Sequence, residues 1–380
     1  MKSRSKLFVC FLLLIVGTTS LFTYNSNAFA DEIEVMAPAR SMVLLEGNTN
    51  KILYEFNSQK SLPMASTTKI VTAIVAIENY PNLDNIVKVS DKAIGIEGTS
   101  IYLKHGEEIS MRNLLYGLIL ASGNDCAVAI AEEVGGEVEF VEKMNTFVNN
   151  LGLTSTHFAN PHGLDADGHY TSAYDLAYIT AYAMKNQVFR EIVGTKYHNI
   201  PSTNMYQERY LKHKNKLMFL DDNCIGVKTG FTDNAGRCLV SAYEKDDMQL
   251  IAVVLNCQPM FEEADRITKN ALNEYMYVEW VKPYNYVSSI KIEDGDKDDV
   301  GVVTIKGFSD CILKSEEDLY RVEYDIPDSI VAPIEINKEI GKVRVYKGDE
   351  IVFEDSLYAI DSCKNIDIKY TLDNILNNWL

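Results

Sequence analysis

Leu62-Pro63-Met64-Ala65-Ser66-Thr67-Thr68-Lys69-Ile70 opens the stretch whose reading decides the fold. Behind it Ile70, Ala73, Ile74 and Ile77 recur at i, i+3, i+4 and i+7, which predicts an amphipathic helix over residues 66–78. Pro63 fits the approach to its first turn. Residues three apart on a helix share a face, so Lys69 can reach the Ser66 hydroxyl. A serine is a poor nucleophile until a neighbouring base takes its proton. The first turn of a helix also favours developing negative charge. Alone the pattern is weak, because Ser3/Lys6 and Ser288/Lys291 repeat the spacing and a serine at this place is ordinarily a helix N-cap.

Outward from this helix, residues 41–45 and 52–54 are short apolar runs separated by Gly47-Asn48-Thr49-Asn50, a hairpin signal. Residues 111–121 and 125–134 read as helices interrupted by Ser122-Gly123-Asn124, and residues 172–184 as a further helix. Residues 238–242 and 250–255 are β-rich. Strands at both ends with helices between predict an α+β domain. From about residue 283 the helical period gives way to short strands at 302–305, 320–324, 341–346 and 350–353, a small all-β domain. The expected organisation is therefore a leader at 1–30, a catalytic domain at 31–282, a β domain at 283–368 and an amphipathic tail at 369–380.

Two further motifs follow Ser66 and Lys69. Ser122-Gly123-Asn124 places a hydroxyl and an amide in a turn between helices, where such residues are also ordinary turn formers. Lys228-Thr229-Gly230 follows Ile225-Gly226-Val227 and reads as a strand end; such a strand could hold a substrate backbone as an added strand. Gly230 permits close approach. Lys228 would supply positive charge for a carboxylate and help keep Lys69 neutral.

Ser-x-x-Lys at a helix start, Ser-x-Asn between helices and Lys-Thr-Gly on a strand, in that order, resemble the motif set of penicillin-binding proteins and class A β-lactamases. The segment 62–70, Asn160-Pro161-His162-Gly163-Leu164, the run from His169 to Ala177, Lys228-Thr229-Gly230-Phe231-Thr232 and residues 332–346 resemble the low-molecular-mass penicillin-binding proteins that are serine D-alanyl-D-alanine carboxypeptidases. The resemblance implies a β-lactamase-like transpeptidase domain, an antiparallel sheet with helices, followed by the small β domain. It implies Ser66 as nucleophile, Lys69 as general base, Ser122 as proton relay and Asn124 as substrate-orienting residue. Lys228, Thr229 and Gly230 would bind substrate, and the backbone N–H groups of Ser66 and Phe231 would hold the oxyanion. The implied substrate is a peptidoglycan stem peptide, with β-lactam antibiotics as acylating inhibitors and no cofactor. Rival readings are a class A β-lactamase, a D,D-endopeptidase on the same site, and a non-catalytic wall-binding module. A recognisable deacylating glutamate motif is absent, and Ser-Gly-Asn stands in place of Ser-Asp-Asn, both against the first. Intact motif side chains weigh against the last.

With 54 acidic against 36 basic residues the formal net charge is −18, which excludes a nucleic-acid partner and weighs against strong attraction to anionic lipid. Lys2, Arg4 and Lys6 precede an apolar run at 7–16 that is too short to span a bilayer, and Ala28-Phe29-Ala30 is a small-x-small cleavage site. These predict export, an uncleaved anchor being the rival reading. Apart from Cys10 in that leader, six widely and irregularly spaced cysteines are expected as buried free thiols rather than disulfides. His157, His162 and His169 with Asp165 and Asp167 carry zinc-ligand types, yet their spacing fits no common zinc pattern, so a structured loop at the rim of the site is expected and no metal. In the tail, Leu372, Ile375, Leu376, Trp379 and Leu380 share one helix face, which fits peripheral membrane contact and docking on the β domain equally.

Overall fold

Met248–Leu255 (β9) is buried along its whole length, and its alternate side chains enter two different cores: Ile251, Val253 and Leu255 one, Leu250, Ala252 and Val254 the other. A continuous apolar run is what a strand covered on both faces requires. Ser41–Glu46 (β1) divides in the same way, Val43 and Leu45 to one side and Met42 and Leu44 to the other. The computed structural model describes residues 39–366 together with Ile368 and Leu376. The expected leader and nearly all of the expected tail lie outside the described residues.

β1 pairs with Lys51–Phe56 (β2) as the expected hairpin. Lys69–Asn79 (α1) follows a one-turn 3-10 segment, Ala65–Thr68. The short strands Ile86–Lys88 (β3) and Glu108–Ser110 (β4) pair before Met111–Leu120 (α2) and Asn124–Glu133 (α3). Then come Glu137–Asn150 (α4), Ala173–Met184 (α5), Gln187–Gly194 (α6), and the hairpin of Tyr197–Ile200 (β5) with Arg209–Lys212 (β6). Cys224–Thr232 (β7) and Gly236–Lys245 (β8) complete, with β9, an antiparallel sheet of order β2-β1-β9-β8-β7. Met260–Glu274 (α7) packs on β8 and β9 on the face away from α5.

Two expectations are corrected here. The helix at 66–78 is not amphipathic: its first eight residues, Lys69 to Ala76, are all buried, because α1 runs through the middle of the domain against α2 to α6 and β7. Ser66 consequently lies in the 3-10 turn and caps nothing. Lys228-Thr229-Gly230 does not end its strand but sits within β7, the edge strand of the sheet, which continues to Thr232.

The strand-rich remainder begins with Tyr275–Val281 (β10), followed by Tyr286–Glu293 (β11), Asp299–Thr304 (β12), Phe308–Leu313 (β13), Tyr320–Asp325 (β14), Ser329–Val331 (β15), Glu339–Lys347 (β16) and Glu350–Ala359 (β17). Six of these form a sheet of order β14-β16-β17-β12-β11-β15 around Ile290, Val302, Val343, Val345 and Leu357, while β10 pairs with β13. The β10–β13 pair is fastened to the first domain. Cys311 is buried in the core beneath α7, Lys51 bridges to Asp310 at 2.9 Å, and Lys314 Nζ donates to the carbonyls of Leu272 and Asn273 at the end of α7. A cation there meets the unsatisfied carbonyls of the helix C-terminus. All six cysteines among the described residues are buried and unpaired.

Candidate active site

The three motifs meet at one cavity of about 470 Å³ beside the N-terminal end of α1. Lys69 is fully buried, and its Nζ donates to Ser66 Oγ at 2.8 Å, to Asn124 Oδ1 at 2.7 Å and to the carbonyl of His162 at 2.5 Å. Lys228, also fully buried, donates to Ser122 Oγ at 3.0 Å and to the carbonyl of Thr229 at 2.8 Å. Two chains of contact, Lys69–Ser66 and Lys228–Ser122, thus stand around one space. Among the lining groups are Ser66, Ser122, Asn124, Thr229, Gly230 and Phe231.

Each group is held by its element. Ser66 rides the 3-10 turn, whose preceding residue Ala65 has φ +52°, a conformation that L side chains visit rarely. Ser122 has φ +63° in the break between α2 and α3, and its carbonyl accepts from Thr99 Oγ1 at 2.5 Å. Asn124 is the first residue of α3, and its Nδ2 donates to the carbonyl of Glu97 at 2.5 Å, which aims Oδ1 at Lys69. A Cβ at Gly230 would lie 3.1 Å from Ser66 N, so the backbone of β7 runs alongside the Ser66 amide.

Burial disfavours the ammonium of Lys69 and lowers its pKa to about 7, and the Lys214 charge adds to this, while Cys126 and Asp125 oppose it. Burial, rather than the charge of Lys228 that the sequence suggested would help keep Lys69 neutral, is the largest cause of that lowering. Lys228 is itself lowered well below its ordinary value, first by burial and then by the charges of Lys69 and Lys214. Lys214 lies at the cavity, and the wall beside it desolvates its head and lowers its pKa too. No motif flags Lys214; it follows the hairpin β5–β6 by chain position only.

The histidine-rich loop is a buttress for α1. Asn160 Oδ1 accepts from the N–H groups of His162 and Gly163, which turns the His162 carbonyl toward Lys69. Thr72 Oγ1 donates to the carbonyl of Pro161 at 2.6 Å. His169 Nδ1 accepts from Ala159 N, so its Nε2 carries the proton and donates to Thr68 Oγ1 at 2.8 Å. Burial lowers both His162 and His169 to about 4, so both are neutral near pH 7. His157 turns back to the carbonyl of Gly168 at 2.6 Å. No group of three metal-ligating side chains occurs among the described residues.

Gly163 is the close point of this buttress. It has φ +91°, and a Cβ there would fall 2.1 Å from the Ala65 carbonyl oxygen and 2.9 Å from Thr68 Oγ1. Gly163→Ala is therefore expected to destabilise the protein by about 2–4 kcal/mol, from left-handed strain plus the displaced Ala65–Ser66 turn. Urea unfolding and the rate of Ser66 acylation should both register it. A variant with unchanged midpoint and unchanged rate would show that this contact is slack.

A profile described as D-alanyl-D-alanine carboxypeptidase, peptidase S11, matches residues 27–259, and one described as penicillin-binding protein 5, C-terminal domain, matches residues 275–365. The chain belongs to the peptidase S11 family, a family of serine hydrolases. It is 33% identical to D-alanyl-D-alanine carboxypeptidase DacF of Bacillus subtilis over 96% of this chain and 97% of that one. Its fold is similar to that of penicillin binding protein 5 from Haemophilus influenzae, with TM-score 0.71 and 25% identity over 87% of this chain and 98% of that one. It is also similar to the Streptomyces K15 DD-transpeptidase, with TM-score 0.58 and 31% identity over 61% of this chain and 95% of that one. The α+β domain followed by a β domain, expected from sequence, is the architecture of this chain, and the match to penicillin binding protein 5 runs through both parts.

Proposed function

We propose that this family member is a serine D-alanyl-D-alanine carboxypeptidase that removes the terminal D-alanine from peptidoglycan stem peptides. The observation that carries the reading is the buried Lys69 amine, 2.8 Å from Ser66 Oγ with a pKa near 7. A base tuned to the working pH suits proton abstraction from a hydroxyl.

In this reading neutral Lys69 takes the Ser66 proton as Oγ bonds to the carbonyl carbon of the penultimate D-alanine. The N–H groups of Ser66 and Phe231 receive the oxyanion, as preorganised donors stabilise charge where it develops. Ser122, held by Lys228 at 3.0 Å, relays the proton that Lys69 took from Ser66 to the leaving amine, the C–N bond breaks, and D-alanine departs. Water then adds to the acyl-serine, giving a proton to Lys69, which returns it to Ser66 Oγ as the Ser66–acyl bond breaks. Asn124 orients the peptide, Lys228 and Thr229 attract the terminal carboxylate, and Gly230 lets the peptide lie against the edge of β7. A β-lactam would acylate Ser66 by the same first step.

We further propose export through the leader at 1–30, activity outside the cytoplasmic membrane, a catalytic domain at 31–282 with a β domain at 283–368, and peripheral membrane contact by the tail at 369–380. No helix among the described residues is long and apolar enough to cross a membrane.

The test is mass spectrometry of the protein after incubation with benzylpenicillin, with analysis of products from an acyl-D-alanyl-D-alanine peptide. An adduct on the peptide containing Ser66, together with free D-alanine, is the expected result. Intact drug and intact peptide would defeat the proposal. Rapid drug hydrolysis without an adduct would favour β-lactamase action, and cleavage of cross-linked peptides alone would favour an endopeptidase.

A further inference from the structure

Thr68 and His169 are both buried, and neither takes part in the chemistry proposed above. His169 Nδ1 accepts from Ala159 N, so Nε2 carries the ring proton and donates it to Thr68 Oγ1 at 2.8 Å. The Thr68 hydroxyl in turn donates its own proton to the carbonyl oxygen of Ala65 at 2.9 Å. Three donors therefore run in one direction, from the Ala159 amide through imidazole and hydroxyl, and end on the residue before Ser66. A threonine that bonds a carbonyl one turn back is ordinary in helices. Here the hydroxyl is also fixed from behind, by a histidine that belongs to the loop carrying Gly163.

The Ala65 carbonyl matters because of what is rigidly joined to it. A trans peptide is planar, and its C=O and N–H point opposite ways. The Ala65–Ser66 bond is trans, so holding the Ala65 oxygen between Thr68 and Gly163 turns the Ser66 N–H to the other side. The backbone of β7 passes close by, a Cβ built on Gly230 falling 3.1 Å from Ser66 N, and Ser66 and Gly230 both line the cavity. No acceptor among the described residues takes the Ser66 N–H. The plane needs holding, because Ala65 at φ +52° has a backbone conformation that L residues keep only where their surroundings enforce it.

We infer that Thr68, backed by His169, is a positioning residue for the oxyanion: it holds the Ala65–Ser66 peptide plane so that the Ser66 N–H faces the developing charge. The inference rests on the mechanism proposed above, in which that N–H receives the oxyanion.

The test measures kcat and KM on an acyl-D-alanyl-D-alanine peptide beside the affinity of a peptidyl boronic acid, whose tetrahedral adduct on Ser66 places an oxygen where the oxyanion forms. Such an analogue follows stabilisation of the transition state rather than of bound substrate. Thr68→Val removes the hydroxyl at nearly constant volume. Its kcat/KM and its boronate affinity are expected to fall together by roughly 10- to 100-fold, short of the loss from deleting an oxyanion donor outright, with KM within about threefold of wild type. Thr68→Ser keeps the hydroxyl and should return most of the loss. His169→Ala should act in the same direction by a smaller factor, and it carries the test if Thr68→Val does not fold. Thr72→Val is the structural comparator: it removes a buried hydroxyl of α1 that meets the same loop at the Pro161 carbonyl without touching Ala65. Unchanged boronate affinity in Thr68→Val would overturn the inference. So would a raised KM at constant kcat, or a Thr72→Val variant that loses as much boronate affinity as Thr68→Val, the mark of a general buttress. A wild type that releases no D-alanine would instead defeat the carboxypeptidase reading, and the rates at which penicillin acylates the same variants would then decide the role of Thr68.

Discussion

Replacing Ser66 with alanine is expected to lower D-alanine release on the order of a million-fold and to abolish the penicillin adduct, while the protein melts within a few degrees of wild type. The size follows from losing the only step that splits the reaction in two. Without Oγ there is no acyl-enzyme, and what remains is the slow attack of water, helped by the oxyanion donors and by binding. The small stability effect follows from position. Ser66 is half-buried, lies in a 3-10 turn rather than capping a helix, and makes its side-chain contact with Lys69, which keeps Asn124 Oδ1 and the His162 carbonyl as acceptors. Noncovalent affinity for the peptide should survive, because Lys228, Thr229 and Asn124 are untouched. Steady-state release, adduct mass and calorimetry check the three parts separately. Activity within tenfold of wild type would place the nucleophile elsewhere.

Which features were legible in the sequence depends on whether they were written in side chains close together along the chain. Ser66 and Lys69 are three apart, Ser122 and Asn124 two apart, and Lys228 to Gly230 contiguous, so each motif carried its own signal. The strands of the main sheet were legible because apolar runs such as 250–255 are long. Three kinds of feature were not. Donors and acceptors supplied by the backbone, such as the His162 carbonyl on Lys69, have no residue-type signature. Lys214 and Arg237 come from a segment after β6 and from β8, and reach the site only because the sheet folds them there. Environment was the third. Ile70, Ala73, Ile74 and Ile77 read as one apolar face, whereas Val71, Thr72, Val75 and Ala76 are equally buried, and that all-round burial is what lowers the Lys69 pKa. The stripes Phe140, Met144, Val148 of α4 and Met260, Ala264, Ile267, Ala271 of α7 have helical spacing, but charged and polar residues between them dilute the signal.

Replacing Lys69 is expected to be nearly as damaging, and the pattern across substitutions and pH separates a base from a mere cation. Lys69→Ala should lower acylation by roughly a thousandfold or more, the upper range for a positioned general base. Lys69→Arg should do no better, because a guanidinium keeps its proton and cannot accept that of Ser66. In the wild type the sign is set by which form works. The neutral amine is the active one, its pKa is lowered to about 7, and so kcat/KM should climb with pH below 7 and level off above it. His162 and His169, held near 4, do not titrate in that window and cannot produce the inflection. At higher pH the rate should fall again as Lys228 or Lys214 loses the charge that attracts a carboxylate, each leaving its cationic form at lower pH than an ordinary lysine. The ascending limb should disappear from the residual activity of Lys69→Ala, since the titrating group has gone. Stopped-flow acylation by a chromogenic β-lactam between pH 5 and 9 measures both limbs. Activity of Lys69→Arg within tenfold of wild type, or an ascending limb that persists in Lys69→Ala, would mean that the proton of Ser66 leaves by another route and that Lys69 serves by its charge alone.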